Sequence, residues 1–162
     1  MTMKGDEIFF EFDPFDLVGV KRPKKNVRAA KKEIAEFILD AVLDKVGEGN
    51  SPVSGYSSFP GLKPSYKKIK SEISSSVIPN LELTGDMLDS LEVVNGSGGK
   101  LKLRIKGSEA LKADGHCHHS SKSKNSRLRQ RTFIPNENKK ETFKKDILQG
   151  VKEIISDYDD GN

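Results

Sequence analysis

The sequence predicts an α+β fold: a small antiparallel sheet packed against two long amphipathic helices, with a long basic loop and an extended N-terminal arm. Three observations predict it. Residues 100–106 read Lys-Leu-Lys-Leu-Arg-Ile-Lys, so Leu101, Leu103 and Ile105 face one side of a strand and the cations face the other. Ala30, Ile34, Phe37, Ile38, Ala41, Val42 and Val46 recur at helical spacing between Val27 and Val46. Phe143, Ile147, Val151, Ile154, Ile155 and Tyr158 do the same from Lys139 to about Asp157.

The remaining elements follow in order. Ile8, Phe10 and Phe12 share one face of a short strand, and Asp13-Pro14-Phe15 turns the chain. This aromatic start is expected to be an arm over residues 1–26 that packs on its own domain or on a neighbour. Residues 27–162 are expected to form a single α+β domain. The helix from Val27 runs without Gly or Pro until Gly47-Glu48-Gly49-Asn50 ends it. Arg28, Lys31 and Lys32 lie at its positive dipole end, which reads as a solvated face or as a contact for an acidic partner. Residues 51–61 are a Ser/Pro/Gly loop, and Pro64 opens a short basic helix reaching about Lys70.

Thr84 is an N-cap for a turn that buries Met87, Leu88 and Leu91. Residues 91–94 and 101–105 form a hairpin closed by Asn95-Gly96-Ser97-Gly98-Gly99. Residues 112–131 contain six Lys or Arg and one acid, Asp114, and are expected to be a flexible loop. Asn136 caps the last helix, in which Gly150 costs about 1 kcal/mol relative to Ala.

Composition narrows the function. The chain of 162 residues is long enough for one real core. It is 34% hydrophobic with glycine left out and 32% charged, where about 45–50% with glycine included and 25% are ordinary. Part of the chain is therefore expected either to stay disordered or to complete its burial against other chains. One cysteine excludes an intramolecular disulfide and suits a reducing compartment. No apolar run reaches the ~20 residues of a membrane span, and no signal-peptide pattern is read.

Catalytic and cofactor signals are weak. His116-Cys117-His118-His119 are all metal-ligand types, and they are the candidate metal residues. Four consecutive ligands point in different directions, so a tetrahedral site within one chain is disfavoured. A site shared between subunits, acting as a metal-dependent assembly switch, is the form left open. Cys117 has no partner from a separate segment that would make it a nucleophile. Gly96–Gly99 lacks the Lys-Ser/Thr and helix of a phosphate loop. No cofactor and no enzymatic activity are expected.

Four short elements recur in a familiar order: Leu62-Lys63-Pro64-Ser65, then Leu83-Thr84-Gly85-Asp86-Met87-Leu88-Asp89-Ser90-Leu91 before a hairpin, then Lys112-Ala113-Asp114-Gly115-His116, then Arg131-Thr132-Phe133-Ile134-Pro135 before a final helix. This order, over roughly Leu62–Tyr158, resembles the virion-morphogenesis and tail-completion proteins of tailed phages, a family of head–tail joining and tail-terminator-like neck proteins. The resemblance implies an α+β structural subunit of the virion, assembled in the host cytoplasm. It implies a homo-oligomeric ring, commonly a hexamer, between a head connector and the tail tube, with DNA passing through its lumen. On this reading Lys122, Lys124, Arg127, Arg129, Arg131 and Phe133 are expected to carry intersubunit or partner contacts, together with the arm. The alternative is a nucleic-acid-binding protein using the basic loop 112–131.

Overall fold

A four-stranded antiparallel sheet has the order β1-β2-β4-β3 in the computed structural model of the chain, which describes residues 2–53, 58–73, 77–78, 86–117, 131–135 and 140–160. The strands are β1 (Thr2–Lys4), β2 (Glu7–Phe12), β3 (Glu92–Asn95) and β4 (Leu101–Lys106). The helices are α1 (Pro14–Val18), α2 (Val27–Gly47), α3 (Pro64–Ile73), α4 (Asp86–Asp89), α5 (Ser108–Cys117) and α6 (Lys140–Asp160), with one 3-10 turn at Ser97–Gly99. The α+β class and both long helices are as the sequence predicts.

The N-terminal segment is not an arm. β2 lies inside the sheet, paired with β1 on one side and β4 on the other, in the register Ile8↔Ile105, Phe10↔Leu103 and Phe12↔Leu101. All six of these side chains are buried. The alternation seen in the first twelve residues is therefore that of an interior strand. A boundary at residue 26 would cut one continuous core, which runs from Ile8 through α1 and α2 to Ile155. Phe10 and Phe12 stack at 5.4 Å, and Phe143 of α6 meets both edge-on at 6.3 and 6.1 Å.

The opposite face of the sheet is ionic. Arg104 on β4 reaches Glu7 of β2 at 3.1 Å and Glu92 of β3 at 2.7 Å. Lys102 lies 3.6 Å from Glu7 and 4.4 Å above the Phe9 ring. These cross-strand pairs tie three strands together, and a one-residue slip would place the charges in the core. The β3–β4 hairpin turns through Gly98 (φ 57°) and Gly99 (φ 77°). Glu11 of β2 accepts from the hydroxyl and N–H of Ser97, and the hydroxyl bond is the main cause that holds its carboxyl below the usual range.

Asp13 links β2 to α1. Its carboxylate accepts from the Phe15 N–H at 2.9 Å, capping α1, and from the Arg22 guanidinium. Burial opposes its charge, but these bonds outweigh burial and hold the carboxyl below its ordinary value.

α2 and α6 pack against each other at a backbone approach that composition alone would misprice. A Cβ on Gly150 would lie within 2.7 Å of both ring ε-carbons of Phe37 and closer still to Cζ. Gly150 is thus the seat of the Phe37 ring. Helix propensity favours alanine by about 1 kcal/mol, while forced overpacking costs about 1–3 kcal/mol. Gly150→Ala is therefore expected to destabilise the chain in denaturant melts, and a smaller residue in Gly150→Ala/Phe37→Leu is expected to recover part of the loss. A single variant more stable than wild type would contradict this packing.

Candidate functional site

The segment Arg131–Pro135 is built into the protein. Arg131 N–H donates to the His116 carbonyl at 2.8 Å, and the Thr132 hydroxyl donates to the Cys117 carbonyl at 3.4 Å. On its other side, the Ser51 hydroxyl donates to the Thr132 carbonyl at 2.7 Å. The Arg131 guanidinium donates to the Pro60 carbonyl at 2.9 and 3.3 Å. The segment thus clamps the end of α5 to the loop after α2. Arg131 is buried, and Phe133 and Ile134 are fully enclosed. The expectation that Arg131 and Phe133 contact another chain is corrected accordingly: an Arg-Thr-Phe-Ile-Pro string looks like exposed basic loop in sequence, but its groups are used internally.

The first part of the expected loop is also corrected. Residues 112–117 belong to α5, because Ala110, Ala113 and Cys117 recur at helical spacing and pack into the core. Lys122, Lys124, Arg127 and Arg129 lie outside the described residues, as do His118, His119, Thr84 and Asn136.

The two described candidate metal residues are unsuited to that role. Cys117 is buried, outside any disulfide, and its sulfur receives the backbone N–H groups of Phe133 and Ile134. Burial pushes its pKa up to about 11, so it is neutral and inert at neutral pH. His116 has its Nδ1 enclosed without a hydrogen-bond partner among the described residues. Burial, with the positive charge of Arg131 beside it, lowers its pKa to about 4. A neutral imidazole can bind metal, but the neighbouring thiol would have to leave the core to join it. Among the described residues no three His, Cys, Asp or Glu side chains gather to hold a metal ion. No described helix is long and apolar enough to cross a membrane.

The surface the sequence reading missed is α3. Tyr66, Ile69 and Ile73 fall on one stripe, and Val77 and Ile78 follow it. All five are between 39% and 59% exposed. The helix instead buries Lys70, which is 1% exposed and donates to the Ile78 carbonyl at 2.6 Å. A helix usually turns its apolar stripe inward and its lysines outward. α3 leaves its apolar stripe exposed, and Lys63, Lys67 and Lys68 are on the surface as well. The signal was present at positions 66, 69 and 73, but the interspersed lysines made the segment read as merely basic.

Two further surfaces are charged. Lys21, Arg22, Lys24 and Lys25 line a groove of about 370 Å³ with Tyr158 and Asp159. Arg28, Lys31 and Lys32 line another of about 550 Å³ against Val93, Val94 and Asn95 of the edge strand β3. Neither groove gathers the acid, base and nucleophile that a hydrolytic or transfer site needs. No family model matches the chain, and neither does any curated protein or solved structure.

Proposed function

We propose that this chain is a structural subunit of a tailed-phage neck: a tail-completion or tail-terminator protein that forms a homo-oligomeric ring, hexameric in the family it resembles, between head connector and tail tube. It acts by assembly and carries no enzymatic activity. The observation that supports the reading is the outward apolar stripe of α3, which begins at the Leu62-Lys63-Pro64-Ser65 element. An exposed apolar surface on a chain of low hydrophobic content fits a subunit completed by its neighbours. The resemblance supplies the kind of assembly, and the virion is then its location.

The test is genetic and structural. Deleting residues 122–129 is expected to leave a folded subunit that fails to join heads to tails, so that separate heads and finished tails accumulate in infected cells. Normal infectious yield from that deletion would remove the proposal. The second reading, a nucleic-acid-binding protein, is favoured by the basic grooves around Lys21–Lys25 and Arg28–Lys32 rather than by residues 112–117. Its signature is DNA binding by the isolated chain that weakens steeply with salt.

A further inference from the structure

We infer that the outer edge of β3 takes up an extended acidic segment of a partner protein as an added strand, held in the groove between β3 and the first turns of α2. The inference goes beyond the ring reading and does not depend on it.

β3 is an edge strand, with β4 on one side only. Its register decides which backbone groups point away from the sheet. The Gly96 N–H donates to the Lys100 carbonyl at 2.8 Å, so it faces β4. Direction alternates along an antiparallel strand, so Val94 and Glu92 also face β4, while Val93 and Asn95 turn their N–H and C=O groups outward. No described residue bonds those outward groups. Sheet edges are commonly blunted by lysine, proline or a bulge. β3 reads Glu-Val-Val-Asn and pairs in continuous register, so it has none of these.

The space beside this edge is open. The groove of about 550 Å³ lies between β3 and α2, where Ala29 and Ala35 are too short to fill it. β3 has 4 residues and is about 13 Å long, which suits one short added strand bonded to Val93 and Asn95.

Charge selects the occupant. Arg28, Lys31 and Lys32 line the groove, and none of its described lining residues is acidic. Lys31 donates to the Gly99 carbonyl, an uncharged acceptor that leaves its positive charge uncompensated. Lys32 has Glu36 at 3.7 Å, a loose pair in which both side chains are exposed. Arg28 has no ion-pair partner among the described residues. The carboxylates nearest the hairpin are engaged elsewhere, Glu11 by Ser97 and Glu92 by Arg104. The first turn of α2 holds no acid to offset its dipole, which adds to the positive field. A strand added at the edge places alternate side chains on the α2 side, where carboxylates meet these cations. A second copy of β3 is a poorer occupant, because two-fold pairing would bring like charges together. A nucleic acid answers the charge but not the edge, since the outward carbonyls would face phosphate oxygens.

The experiment is fluorescence anisotropy with the full chain and labelled peptides of about eight residues. One peptide alternates Glu and Val, one alternates Lys and Val, and one is the Glu-Val peptide with its backbone amides N-methylated. The Glu-Val peptide is expected to bind, more weakly as salt is raised. The other two are expected to bind about tenfold or more weakly, one for its charge and one for its missing donors. Arg28→Glu/Lys32→Glu is expected to lose about tenfold or more in affinity for the Glu-Val peptide. Both positions are exposed, so a melting temperature near wild type verifies folding. Val93→Pro removes one outward N–H and is expected to weaken binding as well. The N-methylated peptide tests the same bonds on the unaltered chain.

Four results would each overturn the inference: no binding of the Glu-Val peptide to wild type; equal binding of its N-methylated form; tighter binding of an oligothymidylate that the Arg28→Glu/Lys32→Glu variant loses; or a dimer of the chain that Val93→Pro dissolves. The first two deny the added strand, the third gives the groove to nucleic acid, and the last gives the edge to a second copy. Failure of the neck reading is seen instead in head–tail joining, and leaves these binding results unchanged.

Discussion

Phe133→Ala is expected to destabilise the chain by about 3–5 kcal/mol, the range for truncating an enclosed aromatic side chain. Phe133 is 0% exposed and belongs to the same core as Phe10, Phe143 and Cys117. Its segment closes the end of α5 over the loop after α2, and the deleted ring leaves a cavity beneath that clamp. A domain of this size has about 5–15 kcal/mol in total, so the variant is expected to approach the unfolding threshold on warming. Urea melts measure the effect. A loss below about 1 kcal/mol, accompanied by weakened self-association, would return Phe133 to the surface role that its sequence context suggests.

Acid is expected to act through His116. Its folded pKa, about 4, lies below the ordinary 6.5 because burial and the Arg131 charge both disfavour the imidazolium. Between those two values the unfolded chain binds a proton there and the folded chain does not. Stability contributed by the neutral ring is therefore intact above about pH 6.5 and is lost as pH falls towards 4. No more is lost below that value. The difference corresponds to about 3 kcal/mol over the window, an upper figure because local opening would let the ring protonate at less cost. The charged group that acts on the ring is Arg131 from the clamp. Melts of wild type and His116→Gln between pH 7 and pH 4 test this directly. The variant is expected to lose stability less steeply, and parallel curves would show that the acid sensitivity resides elsewhere.

Both expectations concern the stretch whose role is hardest to read in sequence. His116-Cys117 and Arg131–Phe133 carry the residue types of metal sites and basic contact loops. Their roles depend on burial, which is a property of the tertiary neighbours. Cys117 lies opposite the N–H groups of Phe133 and Ile134 only because a segment sixteen residues away returns to the end of α5. Nothing in the local pattern encodes that return. The same holds for Gly150, whose cost in an isolated helix changes sign once the Phe37 ring of α2 is set against it.

What the sequence determined by itself is the set of elements with strong local periodicity. α2, α6 and β4 follow from apolar residues at helical and alternating spacing, because each must bury one face whatever lies opposite. The β3–β4 hairpin follows from its glycines, since φ of 57° and 77° at Gly98 and Gly99 is a backbone state that other residues resist. The pattern at Ile8, Phe10 and Phe12 identified a strand but could not place it. An edge arm and an interior strand have the same alternation, and only pairing with β4 makes β2 central. Tertiary structure alone decided the orientation of α3. Its stripe predicts a buried face, yet the core is filled by α2, α5, α6 and the sheet. Lys70, one turn after Tyr66, is the α3 side chain that is enclosed, because an ammonium bonded to the Ile78 carbonyl can be buried where an unbonded one cannot.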